Sequence, residues 1–512
     1  MLEKYLTDAA HFPGGHAARI EIPRTIDEVP DIVRRADTLL AVGAQSSLTG
    51  GATPMGEVVL STERLTRILE FGEAHVSVEA GVSIAALQHA LAARGSWFPP
   101  APTFTGAFAG GVVATNAAGA ATFKYGSVRH WVDGLTVVLA DGNSIAIRRG
   151  ESRARKGQLS LETASRRIDV PVPTYVMPHV VKRSAGYYAA PDMDLIDLFI
   201  GSEGTLGVVT TVTFRIVKPA PTIALAFVPC ASESQALTLV GALRDASILT
   251  WRARHPDGID AAAIEYMDHR CLQILHDDGI DRKHDVTIPA GTELALLVQL
   301  ELAAGTKETA AYDQIGSALT DEATDSALAR FCRLLDVHGV LDGTELALPG
   351  QTHRAEALIA LREAVPAGVN QRVGAAQREI DSRIAKTAAD MIVPFDRFAE
   401  MMEVYRKGFA SRGLDAATWG HISDGNVHPN VIPRSYEEVA RGKDAILEFG
   451  RRAARLGGCP LAEHGVGRNP IKQQLLRELY GDPGIEQMRR VKRALDPGWK
   501  LAPGVIFATE EH

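Results

Sequence analysis

Cysteine is scarce: four in 512 residues, at positions 230, 271, 332 and 459. No two form a CxxC pair, which argues against an iron–sulfur cluster or a zinc knuckle within the chain. Free thiols in a reducing compartment are the simpler expectation. Basic runs are also missing. The net charge is −8 and no Lys/Arg-rich stretch occurs, so no nucleic-acid partner is expected. Long apolar runs are absent too. Stretches such as LALLVQL at 294–300 are one strand long, far short of the ~20 residues of a membrane span. The opening MLEKYLTDAAHF has no apolar core and does not read as a signal peptide. A cytoplasmic protein is expected, with peripheral membrane association left open. Two nucleotide signatures are missing as well. There is no G-x-G-x-x-G after a strand and no G-x-x-x-x-G-K-[ST], which disfavours a Rossmann fold and a P-loop.

What is present is a soluble globular composition, 46% hydrophobic and 23% charged, long enough for two or three domains. The first 220 residues are rich in glycine and short strand patterns. HVSVEA (75–80) alternates as a half-buried strand. SIAALQHALAARG (83–95) follows as a helix, with Ser83 as N-cap and Gly95 just past its end. LTVVLADGNSIAI (135–147) reads as a hairpin around Asp-Gly-Asn, and 150–174 as an inserted surface hairpin or loop. The Pro-containing KPAPT (218–222) marks a boundary, giving domains 1–220 and 221–512. Beyond it, IALAFVP (223–229) and ELALLVQLEL (293–302) read as strands. Helices are expected after the capping boxes SESQ (232–235) and SYEE (435–438), near 306–319, and over 396–412. The fold class is α+β.

Four clusters pack Gly, Ser, Thr or Asn between strand-like segments: VGAQSSLTGG (42–51), GGVVATNAAG (110–119), VKRSAGYY (181–188) and GSEGTLGVVT (201–210). One such cluster alone would read as a tight turn. Four within about 170 residues favour concave backbone sites for an anion such as a pyrophosphate. Farther on, GHISDGNVHPN (420–430) places His421 and His428 around a turn, and CPLAEHGVG (459–467) adds Glu463 and His464. Two His and one Glu can hold a catalytic divalent metal, although a histidine pair alone is more often a structural or surface feature.

The four clusters resemble the FAD-binding domain of the vanillyl-alcohol oxidase/p-cresol methylhydroxylase superfamily, and GSEGTLG is the most specific match. The resemblance implies a two-subdomain FAD-binding domain followed by an α+β substrate (cap) domain with an antiparallel sheet and helices. It implies FAD contacts from Gly43, Ala44, Gln45, Ser46, Ser47, Gly50 and Gly51 in the first cluster. Pro102, Thr103, Gly110, Gly111, Thr115, Asn116 and Gly119 would contribute from the second segment. Glu203, Gly204, Gly207, Val208 and Val209 would contribute from the last. Gln45 stands where a glycine is usual, Ala101 where Asp is common, and Arg183 where Asn is common. The first cluster has no histidine for covalent attachment, so non-covalent FAD is implied.

GHISDGNVHPN followed by AEHGVG resembles the 2-hydroxy acid dehydrogenase branch, which includes D-lactate dehydrogenase, glycolate oxidase D-subunit and D-2-hydroxyglutarate dehydrogenase types. Ser423 replaces a usual glycine and Ala502 a usual Asn. The resemblance implies a divalent metal, zinc or manganese/iron, on His421, His428 and Glu463. It implies His464 as general base, and Arg362, Lys386 and Asn430 as substrate contacts. The implied reaction oxidises a 2-hydroxy acid of the D series, with hydride passing to FAD. Electrons would go on to a quinone, a cytochrome, an electron-transfer flavoprotein or O2. A homodimer is left open. One alternative is a non-redox transferase like the alkyl-dihydroxyacetone-phosphate synthases, whose run of consecutive histidines this chain lacks. Another is a non-catalytic flavin-binding subunit.

Overall fold

The computed structural model describes residues 3–100, 102–318, 320 and 325–508; Ala101 lies outside them. The chain divides into two compact units. The first holds residues 1–119, 126–218 and 457–512, and the second holds 120–125 and 219–456. The break falls at Lys218/Pro219, and the chain does not stay in the second unit. The first unit is therefore discontinuous, where the sequence reading drew a single boundary at 220/221.

The first unit is built on two principal sheets. β1 (Arg19–Glu21), β3 (Val58–Ser61) and β2 (Leu39–Val42) form a parallel sheet in that order. β4 (Ile68–Phe71), β5 (His75–Glu79), β10 (Val208–Arg215), β6 (Val132–Val138) and β7 (Ser144–Arg148) form an antiparallel one. Parallel strands need crossover connections, and the helix Val29–Arg35 supplies one between β1 and β2. Its Val29, Ile32 and Val33 share a core with Leu39, Leu60, Val138, Val208 and Leu501. The inserted hairpin of 150–174 is β8 (Gln158–Glu162) with β9 (Arg167–Pro171). The helix Ile84–Ala92 starts as expected, with Ser83 Oγ accepting the Ala86 N–H at 3.2 Å.

Residues 457–512 complete this unit from the far end of the chain. The Leu39 N–H donates to the Lys500 carbonyl (2.8 Å) and the Ala502 N–H to the Leu39 carbonyl (2.7 Å). Lys492, on the helical segment Pro470–Leu495, is fully buried. Its Nζ donates to the carbonyls of Thr205 and Leu501 and pairs with Asp496, all within 2.7 Å.

The second unit centres on one antiparallel sheet. Its order is β14 (Glu345–Ala347), β11 (Thr222–Cys230), β13 (Leu294–Leu302), β12 (Ala261–Asp268), β17 (Ala416–His421), β18 (Asn426–Val431) and β15 (Thr387–Ala388). β16 (Met391–Ile392) also pairs with β18. The helix Glu233–Ala253 packs against β11, β12 and β13. The helices His269–Asp277 and Thr352–Glu379 share a core with Phe227, Met267, Leu297, Ala417 and Trp419. Ser232 and Ser435 cap their helices through the N–H groups of Gln235 and Glu438, as the capping boxes predict. The helix expected near 306–319 runs over Glu308–Gly316, and position 319 is outside the described residues. Among the described residues, no helix is long and apolar enough to cross a membrane.

Candidate functional site

A cleft in the first unit is lined by three of the four glycine-rich clusters. Gly43, Ala44, Gln45, Ser46, Ser47 and Gly51 line it from the loop after β2. Pro102, Thr103, Gly110, Gly111 and Thr115 line it from the second segment, and Glu203, Gly204, Gly207, Val208 and Val209 from the loop leading into β10. Gly50, Asn116 and Gly119 do not line it. Gly50 backs onto Phe12, whose ring a Cβ would meet at 2.5 Å. Asn116 uses its Oδ1 to accept the Arg129 N–H at 3.1 Å. A Cβ built at Gly111 or Gly204 meets nothing within 4 Å, so the space in front of both is open to a ligand. Small residues, exposed backbone and a few hydroxyls suit a dinucleotide whose pyrophosphate is held by N–H groups.

Gln45 resolves the question its identity raised. It sits at φ 55°, in the left-handed region that a glycine would occupy without steric cost. Its Nε2 donates to the Tyr5 carbonyl at 3.0 Å and its own carbonyl accepts the Ala9 N–H at 2.9 Å. The turn is thus kept, and the longer side chain is tied to the N-terminal segment.

The same cleft is lined by Glu463 and His464. Glu463 is buried and pairs with Lys182 Nζ at 2.5 Å. Lys182 is fully buried and belongs to the third cluster, VKRSAGYY, where it stands beside Arg183. The His464 Nε2 lies 3.8 Å from Glu463 Oε2, and its side chain is 28% exposed.

In the second unit, GHISDGNVHPN is a β-hairpin. β17 and β18 pair with His421 opposite Asn426, Trp419 opposite His428 and Ala417 opposite Asn430. Opposed residues of an antiparallel pair project to the same face, and alternate residues share it. His421, His428 and Asn430 therefore lie on one face by register alone. Gly425 closes the turn at φ +88°, where a Cβ would meet the Val393 carbonyl oxygen at 2.1 Å. The two imidazoles are perpendicular, with centroids 5.5 Å apart.

β12 extends this face. Glu265 pairs opposite His421, so its carboxylate joins the same side. It takes the His421 Nδ1 on one oxygen and the Arg362 Nε on the other, each at 2.5 Å. Arg362 reaches it from the helix Thr352–Glu379, on the stripe that buries Leu358, Leu361, Val365 and Val369. Burial works to raise the Glu265 pKa, but His421 and Arg362 overcome it and hold the carboxyl at about 2. The His421 tautomer that donates through Nδ1 presents Nε2 as a coordinating nitrogen, the usual arrangement of a metal-bound histidine. His428 Nδ1 lies 3.6 Å from Asp390 Oδ1, so it too has a carboxylate on that side. The donor set thus fits a divalent ion.

The terminal nitrogens of Arg362 make no hydrogen bond to the described residues. Asn430 donates through Nδ2 to the His428 carbonyl at 2.8 Å, and its Oδ1 is buried with no partner among the described residues. Lys386 is half-buried just before β15, and burial lowers its pKa to about 8. Ser423 is fully buried, and its Oγ has no partner among the described residues.

Glu265, Lys182 and Asp390 were not singled out from the sequence. Glu265 had a signal: it is the one charged residue inside the apolar run AAAIEYM of 261–267. A buried charge in a strand interior calls for a partner of opposite charge.

The FAD binding domain family matches residues 17–148, and the family of FAD linked oxidases, C-terminal domain, matches residues 231–506. Together with the glycine-lined cleft they define a class, a protein with an FAD-binding domain and an oxidase-type C-terminal domain. The chain belongs to the FAD-linked oxidase family. It is 28% identical to D-2-hydroxyglutarate dehydrogenase of Xanthomonas citri pv. viticola, over 96% of this chain and 89% of that one. It is 27% identical to the glycolate oxidase subunit GlcD of Bacillus subtilis, over 95% and 88%. It is 28% identical to D-lactate dehydrogenase of Archaeoglobus fulgidus, over 94% and 90%. Among solved structures, an alkyldihydroxyacetonephosphate synthase shares the fold at TM-score 0.56 and 13% identity, covering 94% of this chain and 75% of that one.

Proposed function

We propose that this protein catalyses the flavin-dependent oxidation of a 2-hydroxy acid of the D series to the 2-oxo acid. One observation carries the reading. Three relatives that align over 88–90% of their own lengths are named for D-2-hydroxyglutarate, glycolate and D-lactate, and all three compounds are 2-hydroxy acids. FAD held non-covalently would supply the two-electron sink, and a divalent ion, zinc or manganese/iron, would supply Lewis acidity.

The chain's own residues take the remaining roles. Arg362 grips the substrate carboxylate through the nitrogens that Glu265 does not use, a geometry suited to two parallel hydrogen bonds. Lys386 adds a second positive charge, and Asn430 offers its carboxamide oxygen to the substrate. His464 takes the hydroxyl proton, a task suited to an imidazole near neutral pH. His421, His428 and Glu463 would hold the ion, as the family resemblance implies, and Glu265 would fix the His421 ring through its Nδ1.

The test is anaerobic addition of 2-hydroxy acids, both enantiomers, to the yellow protein. Bleaching of the flavin absorbance by one enantiomer is expected. A flavin that no hydroxy acid bleaches overturns the reading. Chelation should abolish turnover, and a divalent ion should restore it. Full activity in a metal-free protein removes the metal from the proposal.

A further inference from the structure

The loop Glu463–Arg468 carries the proposed base, and its backbone is held at several points after His464. The Gly465 carbonyl accepts from Lys472 Nζ at 3.2 Å. The Gly467 carbonyl accepts from the Ile506 N–H at 2.9 Å and from Gln473 Nε2 at 3.0 Å. The Arg468 N–H donates to the Thr49 carbonyl at 2.9 Å. Two further donors, the Val466 and Gly467 N–H groups, both go to one side chain. Glu203 Oε1 accepts the first and Oε2 the second, each at 2.8 Å.

Glu203 belongs to GSEGTLG, the segment whose resemblance implied a flavin contact. It lines the cleft, but both of its carboxylate oxygens are spent on the loop. Its backbone sits at φ 52°, a strained setting for a glutamate, which aims the side chain. The packing is close. A Cβ at Gly465 would meet Glu203 Oε1 at 2.8 Å, and one at Gly467 would meet Thr49 Oγ1 at 2.2 Å. The loop is therefore clamped between the first cluster and the last, and only two glycines let it fit.

We infer that Glu203 is a positioning residue: its carboxylate latches the loop so that His464 is presented to the substrate, and it does not serve as a flavin ligand. This rests on the reading of His464 as the base. Burial raises the Glu203 carboxyl to about 7 against the two N–H groups, so its hydrogen bonds are made at a desolvation cost. A buried acid kept at such cost, in a strained backbone, is consistent with a role beyond packing.

The test compares Glu203→Gln with Gly465→Ala. The first leaves one acceptor for two donors. The second presses on the same contact from the loop side. Both should bind FAD as the parent does. Both should slow anaerobic flavin reduction by substrate, on the order of 100-fold for an ångström of misplacement. KM should stay near the parental value, because the carboxylate contacts are untouched. Amide hydrogen exchange at Val466 and Gly467 should speed up, whether or not a substrate has been found. Loss of FAD from a folded Glu203→Gln protein would overturn the latch in favour of a flavin contact. Parental reduction rates in both variants, or parental exchange at both amides, would also overturn it. If the parent flavin is bleached by no hydroxy acid, the functional reading fails, and the exchange measurement still decides the latch.

Discussion

The two units use their residues in opposite ways. In the first, the cleft is made of what side chains leave empty: glycines at 43, 51, 110, 111, 204 and 207, and exposed backbone. In the second, the candidate site is made of side chains with charge and direction, set at alternate positions on one sheet face. The difference teaches what each can tolerate. A cleft built from absence is damaged by added volume, and one lost hydroxyl matters little. A constellation built from charge is damaged by a change of one atom at constant volume.

The largest effect should come from filling the first kind of site. Gly111→Leu adds bulk where a Cβ has open space, at a helix position that accepts leucine. A folded but colourless protein is expected, checked by circular dichroism beside the flavin absorbance; a yellow variant would break the comparison. His464→Ala should come next. Flavin reduction should fall by about 10²- to 10⁴-fold with FAD still bound, in single-turnover kinetics. Near-parental reduction would remove the base from this loop. Glu265→Gln changes one atom and keeps the volume. It should weaken metal binding by roughly 10- to 100-fold in competition with a chelator. An unchanged affinity would mean that Glu265 serves Arg362 alone.

The smallest effect concerns pH. Lys386 has its pKa depressed to about 8, so its charge is present below that value and lost above it. KM for the hydroxy acid should rise roughly tenfold as pH passes upward through about 8, the low end for a hydrogen bond to a charged group. In Lys386→Met that rise should vanish, leaving a flat, elevated KM. A rise that survives the substitution would assign the titration to another group.

Much of the fold was legible because local rules agreed with tertiary ones. The capping serines at 83, 232 and 435, the Asp-Gly-Asn hairpin and the strand alternation of 75–80 all behave as their spacing predicts. The return of residues 457–512 to the first unit was not legible, because it depends on contacts such as Lys500 with Leu39, hundreds of residues apart. The candidate site divides in the same way. His421, His428 and Asn430 could be seen because they sit close in sequence and carry distinctive chemistry. Glu265 and Lys182 meet their partners only through register and folding. Glu203 was visible as part of a motif, but no spacing says where its carboxylate points.

The closing segment also sets an order of events. Strand β2 waits for Lys500 and Ala502, and the third and fourth clusters wait for Glu463 and for the loop at 465–467. During synthesis the intervening residues 219–456 take roughly ten to fifty seconds to emerge, at about 5–20 residues per second. For that interval the first unit has its flavin loops but not its closing pieces. A nascent chain stopped before residue 457 lacks both the partner of Leu39 and the proposed base, so a truncated product is incomplete in fold and in chemistry at once.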